Sequence, residues 1–441
     1  MSSRSAERTA SVLRRRSLHG LDFLNFFLAN VQTGFGPFIA VYLTAHHWTQ
    51  VEIGAVLTVG TITGMASQVP AGALIDATPR KRGAAAAAIA AIMLSALLFA
   101  LRPNPLPVLI AEVLHGFASA MVLPAIAAIT LTLVNGRGVG ERFGRNARWA
   151  AVGNAFAAAA MGAVGYTLGY RPVFLLTAAI AIPALLALAL IRAAPAARPP
   201  PRRSAAAPPP VAGAPWWRLL LDRRVLAFAG CAALFQLANA AMLQLAGGEL
   251  TKESGTAATA VIAACIVLPQ VVVAALSPWV GRAAERWGRR PVLLAGFLAL
   301  PLRALLFAAT ASPALMVSAQ GLDGIGGAVF GVLVPLIAAD LTAGTARFNL
   351  CMGTIGFAGG IGAAVSTTLA GAIADGWGVP AAFVALAAAG LAAVLLVWAA
   401  LPETGPAAEP ARSPGVQPPG SRCSSASMMR MAPSRSPLPS A

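Results

Sequence analysis

Apolar residues run in long stretches separated by short polar or Gly/Pro-marked breaks. A window of about 19 residues places six stretches near 18–43, 51–75, 83–101, 106–134, 147–169 and 172–192, and six more near 224–247, 257–281, 291–309, 313–339, 350–374 and 379–401. Each is long enough to cross a hydrocarbon layer as a helix, which takes about 20 residues. Isolated strands cannot satisfy their backbone in lipid, and the alternation of a barrel strand is missing. The pattern predicts an all-α integral membrane protein with 12 transmembrane helices.

Breaks fall at Pro103–Pro107, Gly169–Pro172 and Gly376–Pro380, and the longest is Arg192 to Pro215, rich in Pro, Ala and Arg. Such a composition does not build a core. It divides the chain into a tail (1–17), a six-helix half (18–192), a linker (193–222), a second half (223–401) and a Ser/Pro/Arg-rich tail (402–441). Residues 1–16 and the last tail are expected to be disordered.

Composition agrees. Of 441 residues 58% are hydrophobic and 11% charged, which excludes an ordinary soluble surface and leaves no room for a large soluble domain. A net charge of +17 would suggest nucleic acid in a soluble protein, but the basic residues sit in short clusters between apolar stretches, so no nucleic-acid partner is expected. With the N-terminus inside, the even-numbered loops and both tails hold 28 of the 32 Lys and Arg residues. The positive-inside rule then puts both termini in the cytoplasm. Arg14-Arg15-Arg16 ahead of an apolar run resembles a signal-peptide start, yet the run is long and contains Asp22 and Asn25, so an uncleaved first span is expected. The bias toward Ala, Pro and Arg points to a GC-rich bacterial genome and an inner-membrane location. Cys231, Cys265, Cys351 and Cys423 lack CxxC spacing, and neither a disulfide, a metal site nor a cofactor is expected.

The chain repeats itself. Gly72-Ala-Leu-Ile-Asp76-Ala-Thr-Pro-Arg80-Lys81-Arg82 closes the second span, and Gly281-Arg-Ala-Ala-Glu285-Arg-Trp-Gly-Arg289-Arg290-Pro291 closes the eighth, 209 residues on. The same offset carries Phe26-Phe-Leu-Ala-Asn30 onto Phe235-Gln-Leu-Ala-Asn239. Two motifs at one offset imply two halves in the same orientation.

These loops resemble the signature of the major facilitator superfamily, a glycine, an acid four residues on and a basic cluster four beyond. The second copy is the better match; the first has Ala77-Thr78-Pro79 where basic, aromatic and glycine residues are common. The resemblance covers roughly residues 18–404, including Pro402-Glu403-Thr404. It implies secondary transport by alternating access, with a central cavity lined by spans one, four, seven and ten. In physical terms, Gly72 and Gly281 would let helices approach closely, while Asp76 and Glu285 would face helix N-termini of the opposite half and form a latch. Asp76 is expected near Arg347, and Glu285 near Arg145 and Arg148. Asp340 is expected with Arg347 in the same region.

Ionisable side chains at membrane depth cost about 2.5 kcal/mol or more, which makes them functional candidates. Span four carries Glu112 and His115 on one face, and span ten carries Asp323 beside Gln320. Asp323, Glu112 and His115 are the candidate proton carriers, Asp323 first. Asn30, Gln32, Gln236, Asn239 and Gln320 are candidates for a substrate cavity; as repeat mates, Asn30 and Asn239 stand out. The alternative for these amides is interhelical hydrogen bonding, and for His115 a bond within the bundle. Asp22 is expected at the cytoplasmic end of its helix, Gly34-Phe-Gly-Pro37 as a bending site, and Arg303 is expected to snorkel toward the outer interface.

No GxxxxGK[ST] loop, histidine ligand set or GxSxG elbow is present, which argues against an ATP-driven pump, a metalloenzyme and a serine hydrolase. The reading is a monomeric, proton-coupled exporter of small drug-like or metabolic compounds. An importer or facilitator of a sugar or organic acid, and a non-transporting sensor or enzyme on the same scaffold, are the alternatives.

Overall fold

A computed structural model describes residues 3–33, 36–134, 138–191, 217–254, 258–310 and 312–404. Among these residues there are sixteen helices and no strand, as lipid requires of backbone groups that have no water to bond. Eleven helical stretches are long and apolar enough to cross a membrane. The first span completes the set of twelve as α1 (Ser3–Thr33) and α2 (Gly36–Ala45).

In the first half, spans two to six are α3 (Gln50–Ala77), α4 (Lys81–Leu101), α5 (Pro105–Leu133), α6 (Val139–Leu168) and α7 (Tyr170–Leu190). A short α8 (Trp217–Leu220) precedes the second half, whose seventh span is α9 (Arg223–Asn239) with α10 (Met242–Ser254). Then come α11 (Ala258–Trp287), α12 (Arg289–Phe297) with α13 (Ala299–Ala309), α14 (Pro313–Leu341), α15 (Phe348–Trp377) and α16 (Val379–Ala400).

Four boundaries differ from expectation. Residues 3–16 continue α1 as helix, since nothing between Ser3 and His19 is Gly or Pro and the Ala, Leu and Arg present favour helix. α6 begins at Val139 rather than near 147 and takes Arg142, Arg145 and Arg148 into the helix. The seventh span breaks at Ala240–Ala241, where the freed N–H of Ala241 donates to Ser366 Oγ on α15 at 3.1 Å. The ninth breaks at Leu298, just before Pro301, whose ring nitrogen has no proton to give. Gly34 and Phe35 of the expected bending site, most of the linker (192–216), Cys423 and residues 405–441 lie outside the described residues.

Each half has its own apolar core, Leu21, Ile92, Phe99 and Phe174 in the first and Phe228, Phe297, Leu333 and Phe383 in the second. Large apolar side chains such as Leu94, Leu186, Leu302 and Trp398 are exposed, a belt suited to lipid rather than water. Tight turns repeat as well. Gly169 and Gly378, 209 residues apart, both turn with φ of 87°, conformations open to glycine. The loop closing α11 likewise turns on Gly288 with φ of 96°, whereas α3 ends on an extended Thr78, so the departure of the first loop motif is a different loop shape.

The halves meet along α3 against α15 and α6 against α11. At the end of the bundle bearing Asp76 and Glu285, here the basic end, glycines bring these backbones together. A Cβ on Gly140 would lie 2.6 Å from Gly281 O, one on Gly144 2.7 Å from Pro278 Cα, and one on Gly353 3.2 Å from Val69 Cα. Farther along, Gly360 lies against Met65, and Asn154 Nδ2 donates to Gln270 at 3.5 Å. The basic end is closed.

Candidate functional site

The break in span seven opens beside an arginine. Arg303 on α13 is 2% exposed and donates to Asn239 Oδ1 at 2.7 Å and to Gln320 Oε1 at 3.4 Å. Its guanidinium also pairs with Asp323 on α14, touches Met242 Sδ and lies 5.9 Å from the Phe307 ring centre. Snorkelling is therefore overturned. The guanidinium reaches inward because Asp323 and two amide oxygens replace its water there. Asp323 is 31% exposed at its side chain, so the carboxylate is the more exposed partner of the pair. Of the cavity candidates, Asn239 and Gln320 are bound to Arg303, Gln32 and Gln236 are partly exposed, and Asn30 is buried.

The first half builds the same framework with other side chains. α5 and α14 are both 29 residues long and both open on proline, 208 residues apart. A Cβ on Gly116 would come 2.8 Å from Gly60 O on α3, and one on Gly324 would come 2.8 Å from Pro269 O on α11. Gly60 and Pro269 are themselves repeat mates. This contact registers Glu112 with Gln320, and His115 with Asp323. α4 and the α12–α13 pair share the 208-residue offset, which registers Ser95 with Arg303. Ser95 donates to Ala111 O at 2.8 Å. Glu112 is 4% exposed, with one carboxylate oxygen laid across Gly60. Asn30 is 1% exposed and donates to Phe26 O at 2.8 Å, and His115 lies 3.3 Å from Ser119 Oγ.

At the basic end, each loop acid caps a helix of the other half. Asp76 accepts from Asn349 N at 3.0 Å, Asn349 Nδ2 at 2.6 Å and Leu350 N at 2.8 Å, at the start of α15. Glu285 accepts from Gly138 N at 3.0 Å and Gly140 N at 2.7 Å, at the start of α6. The expected partners differ in detail. Glu285 takes backbone donors, while Arg145 bonds Asp22 and Arg148 donates to Ala274 O at 2.8 Å. Asp340 pairs with Arg289 at 2.9 Å, where Arg289 enters the core at the head of α12. Of the remaining basic candidates, Lys81 donates to Ile75 O and Asp76 O, Arg82 to the Leu188 and Ala189 carbonyls ending α7, and Arg290 to Trp398 O. Arg80 is the N-cap residue of α4.

Sequence reasoning missed one ion cluster. Asp22 is buried, not simply at a helix end. It accepts from Arg142 at 2.5 Å and Arg145 at 2.6 Å, and Arg142 also donates to Asn146, which donates to Thr130 at 2.8 Å. The signal was an acid inside an apolar run, matched 120 residues later by arginines one helical turn apart.

Twelve spans in two like halves, a glycine-zipped closed end and reciprocal acid caps define a two-bundle membrane transporter. The family model of the Major Facilitator Superfamily matches residues 21–268 and 231–431. Uncharacterised MFS-type transporters from two strains of Mycobacterium tuberculosis, CDC 1551 / Oshkosh and ATCC 25618, are each 38% identical over 394 residues, covering 88% of this chain and 94% of the relative. The chain belongs to the major facilitator superfamily and is a membrane transport protein.

Proposed function

We propose that the protein is a proton-coupled exporter of small organic compounds that works by alternating access in the bacterial inner membrane. Both termini and the basic end face the cytoplasm in this reading, supported by the clustering of Lys and Arg there. The conformation described is then the one closed to the cytoplasm.

The observation that carries proton coupling is the Arg303–Asp323 pair. Ionised Asp323 neutralises a guanidinium that has no water of its own. A proton arriving from the open side cancels that charge and leaves Arg303 to Asn239, Gln320 and the Phe307 ring. Separating a buried pair costs about 3–5 kcal/mol, enough to bias two conformations. Glu112 and His115 are further proton positions on the mate of α14. Gln32 and Gln236, partly exposed on spans one and seven, are the amides available to substrate, and the protein works as a monomer.

The test is a pH-sensitive dye in respiring inverted vesicles challenged with a panel of compounds, for wild type and Asp323→Asn. Compound-triggered proton movement in wild type alone supports the reading. Normal proton-driven transport by Asp323→Asn removes Asp323 from coupling.

A further inference from the structure

The two halves place their polar residues in register but do not satisfy them equally. In the second half, Asn239 Oδ1 and Gln320 Oε1 both accept from one guanidinium, that of Arg303. Their mates in the first half are Asn30 and Glu112. Among the described residues, Asn30 Oδ1 and Glu112 Oε1 are buried and accept no hydrogen bond. Where Arg303 stands in one half, Ser95 stands in the other and donates to Ala111 O instead.

We infer that the first half holds a receptor for a donor-bearing organic cation, a guanidinium or primary ammonium group of the transported compound, between Glu112 and Asn30 in the place that Arg303 fills in the second half. Three features support the assignment. With Glu112 ionised, both orphaned atoms are acceptors only, so their partner must donate. One belongs to a carboxylate, and a buried carboxylate needs a counter-charge as well as a hydrogen bond. Asn30 cannot turn its amide to help, because Nδ2 is already committed to Phe26 O.

The neighbouring side chains are small: Ser95 stands in register with Arg303 and donates to Ala111 O, and glycine at position 60 leaves the other carboxylate oxygen its place on α3. His115, the mate of partly exposed Asp323, is itself partly exposed and marks the side from which a ligand arrives.

The assignment rests on the transport reading for its purpose, but its test needs no gradient. The full chain in nanodiscs is titrated calorimetrically with phenylguanidinium and with its neutral counterpart phenylurea. Saturable binding of the cation alone is expected, weakened about tenfold or more by Glu112→Gln, the scale of one lost charge-assisted hydrogen bond. Ser95→Arg, which tethers a guanidinium in the site, should abolish binding, and Asn30→Leu should weaken it, so the outcome does not hang on one variant folding. Wild type that ignores phenylguanidinium, or binds phenylurea equally well, overturns the assignment, as does a folded Glu112→Gln protein that binds like wild type. Cation binding without proton movement in vesicles would instead remove the coupling reading and leave this site standing.

Discussion

The Asp76 carboxylate at the end of α3 accepts the backbone N–H of Asn349 at 3.0 Å and its side-chain amide at 2.6 Å, so one half of the protein caps a helix of the other. These donors lie at a helix N-terminus, where a negative charge is favoured, and they turn to water whenever the halves part. Asp76→Asn keeps the shape and removes the charge. The closed conformation should lose about 1–3 kcal/mol, seen as a several-fold faster maleimide labelling of a cysteine placed at position 69, facing Gly353, in nanodiscs. An unchanged labelling rate would refute the latch.

Gly353 has no space for a side chain, since its Cβ would meet Val69 Cα at 3.2 Å and the Gln68 carbonyl still closer. Both obstacles are backbone and cannot turn aside. Gly353→Val should therefore hold the basic end apart, lengthening spin-label distances between α3 and α15 there, and should cut turnover about fivefold or more for a closure penalised by about 1–3 kcal/mol. Wild-type distances in that variant would show that the α3–α15 contact does not control closure.

The first of these contacts was within reach of the sequence because it rests on repetition. Gly72 with Asp76 and Gly281 with Glu285 fix which loops matter, and a charge that does little for orientation must find a helix end. Azimuth around a span was not legible. The partner of Arg303 depends on which way α13 is turned after the break at Leu298, and on the break at Ala240–Ala241 that brings Asn239 alongside. Hydropathy averages over such breaks. The Asp22 cluster was hidden for a related reason: Arg142 and Arg145 read as loop charges until the helix N-terminus is moved back to Val139.

Asp22 serves two guanidinium groups, one of them buried, and Arg142 is further held by Asn146 and the Leu18 carbonyl. Asp22→Leu would strand Arg142 without its counter-charge, at a cost of about 3–5 kcal/mol. Arg142→Leu leaves Asp22 still paired with exposed Arg145 and should cost less. Thermal unfolding in detergent should rank the two in that order, and the reverse order would mean that the cluster is held by Asn146 and Thr130 rather than by charge.

The same asymmetry governs Arg303 and Asp323 more sharply, because one partner is dry and the other is not. Arg303→Met removes the charge that water cannot reach and leaves a carboxylate with about a third of its surface exposed, which solvent can accommodate. Asp323→Leu does the opposite and abandons a buried guanidinium to two neutral amides and a ring. The loss in the second case should approach about 3–5 kcal/mol, and in the first fall well below it. Combining both substitutions should cost less than the sum by about 1 kcal/mol or more, since each removes the reason the other is harmful. A double variant whose loss equals the sum would mean that the two residues do not act as a pair in the folded protein, and it would take from Asp323 the partner on which its coupling role depends.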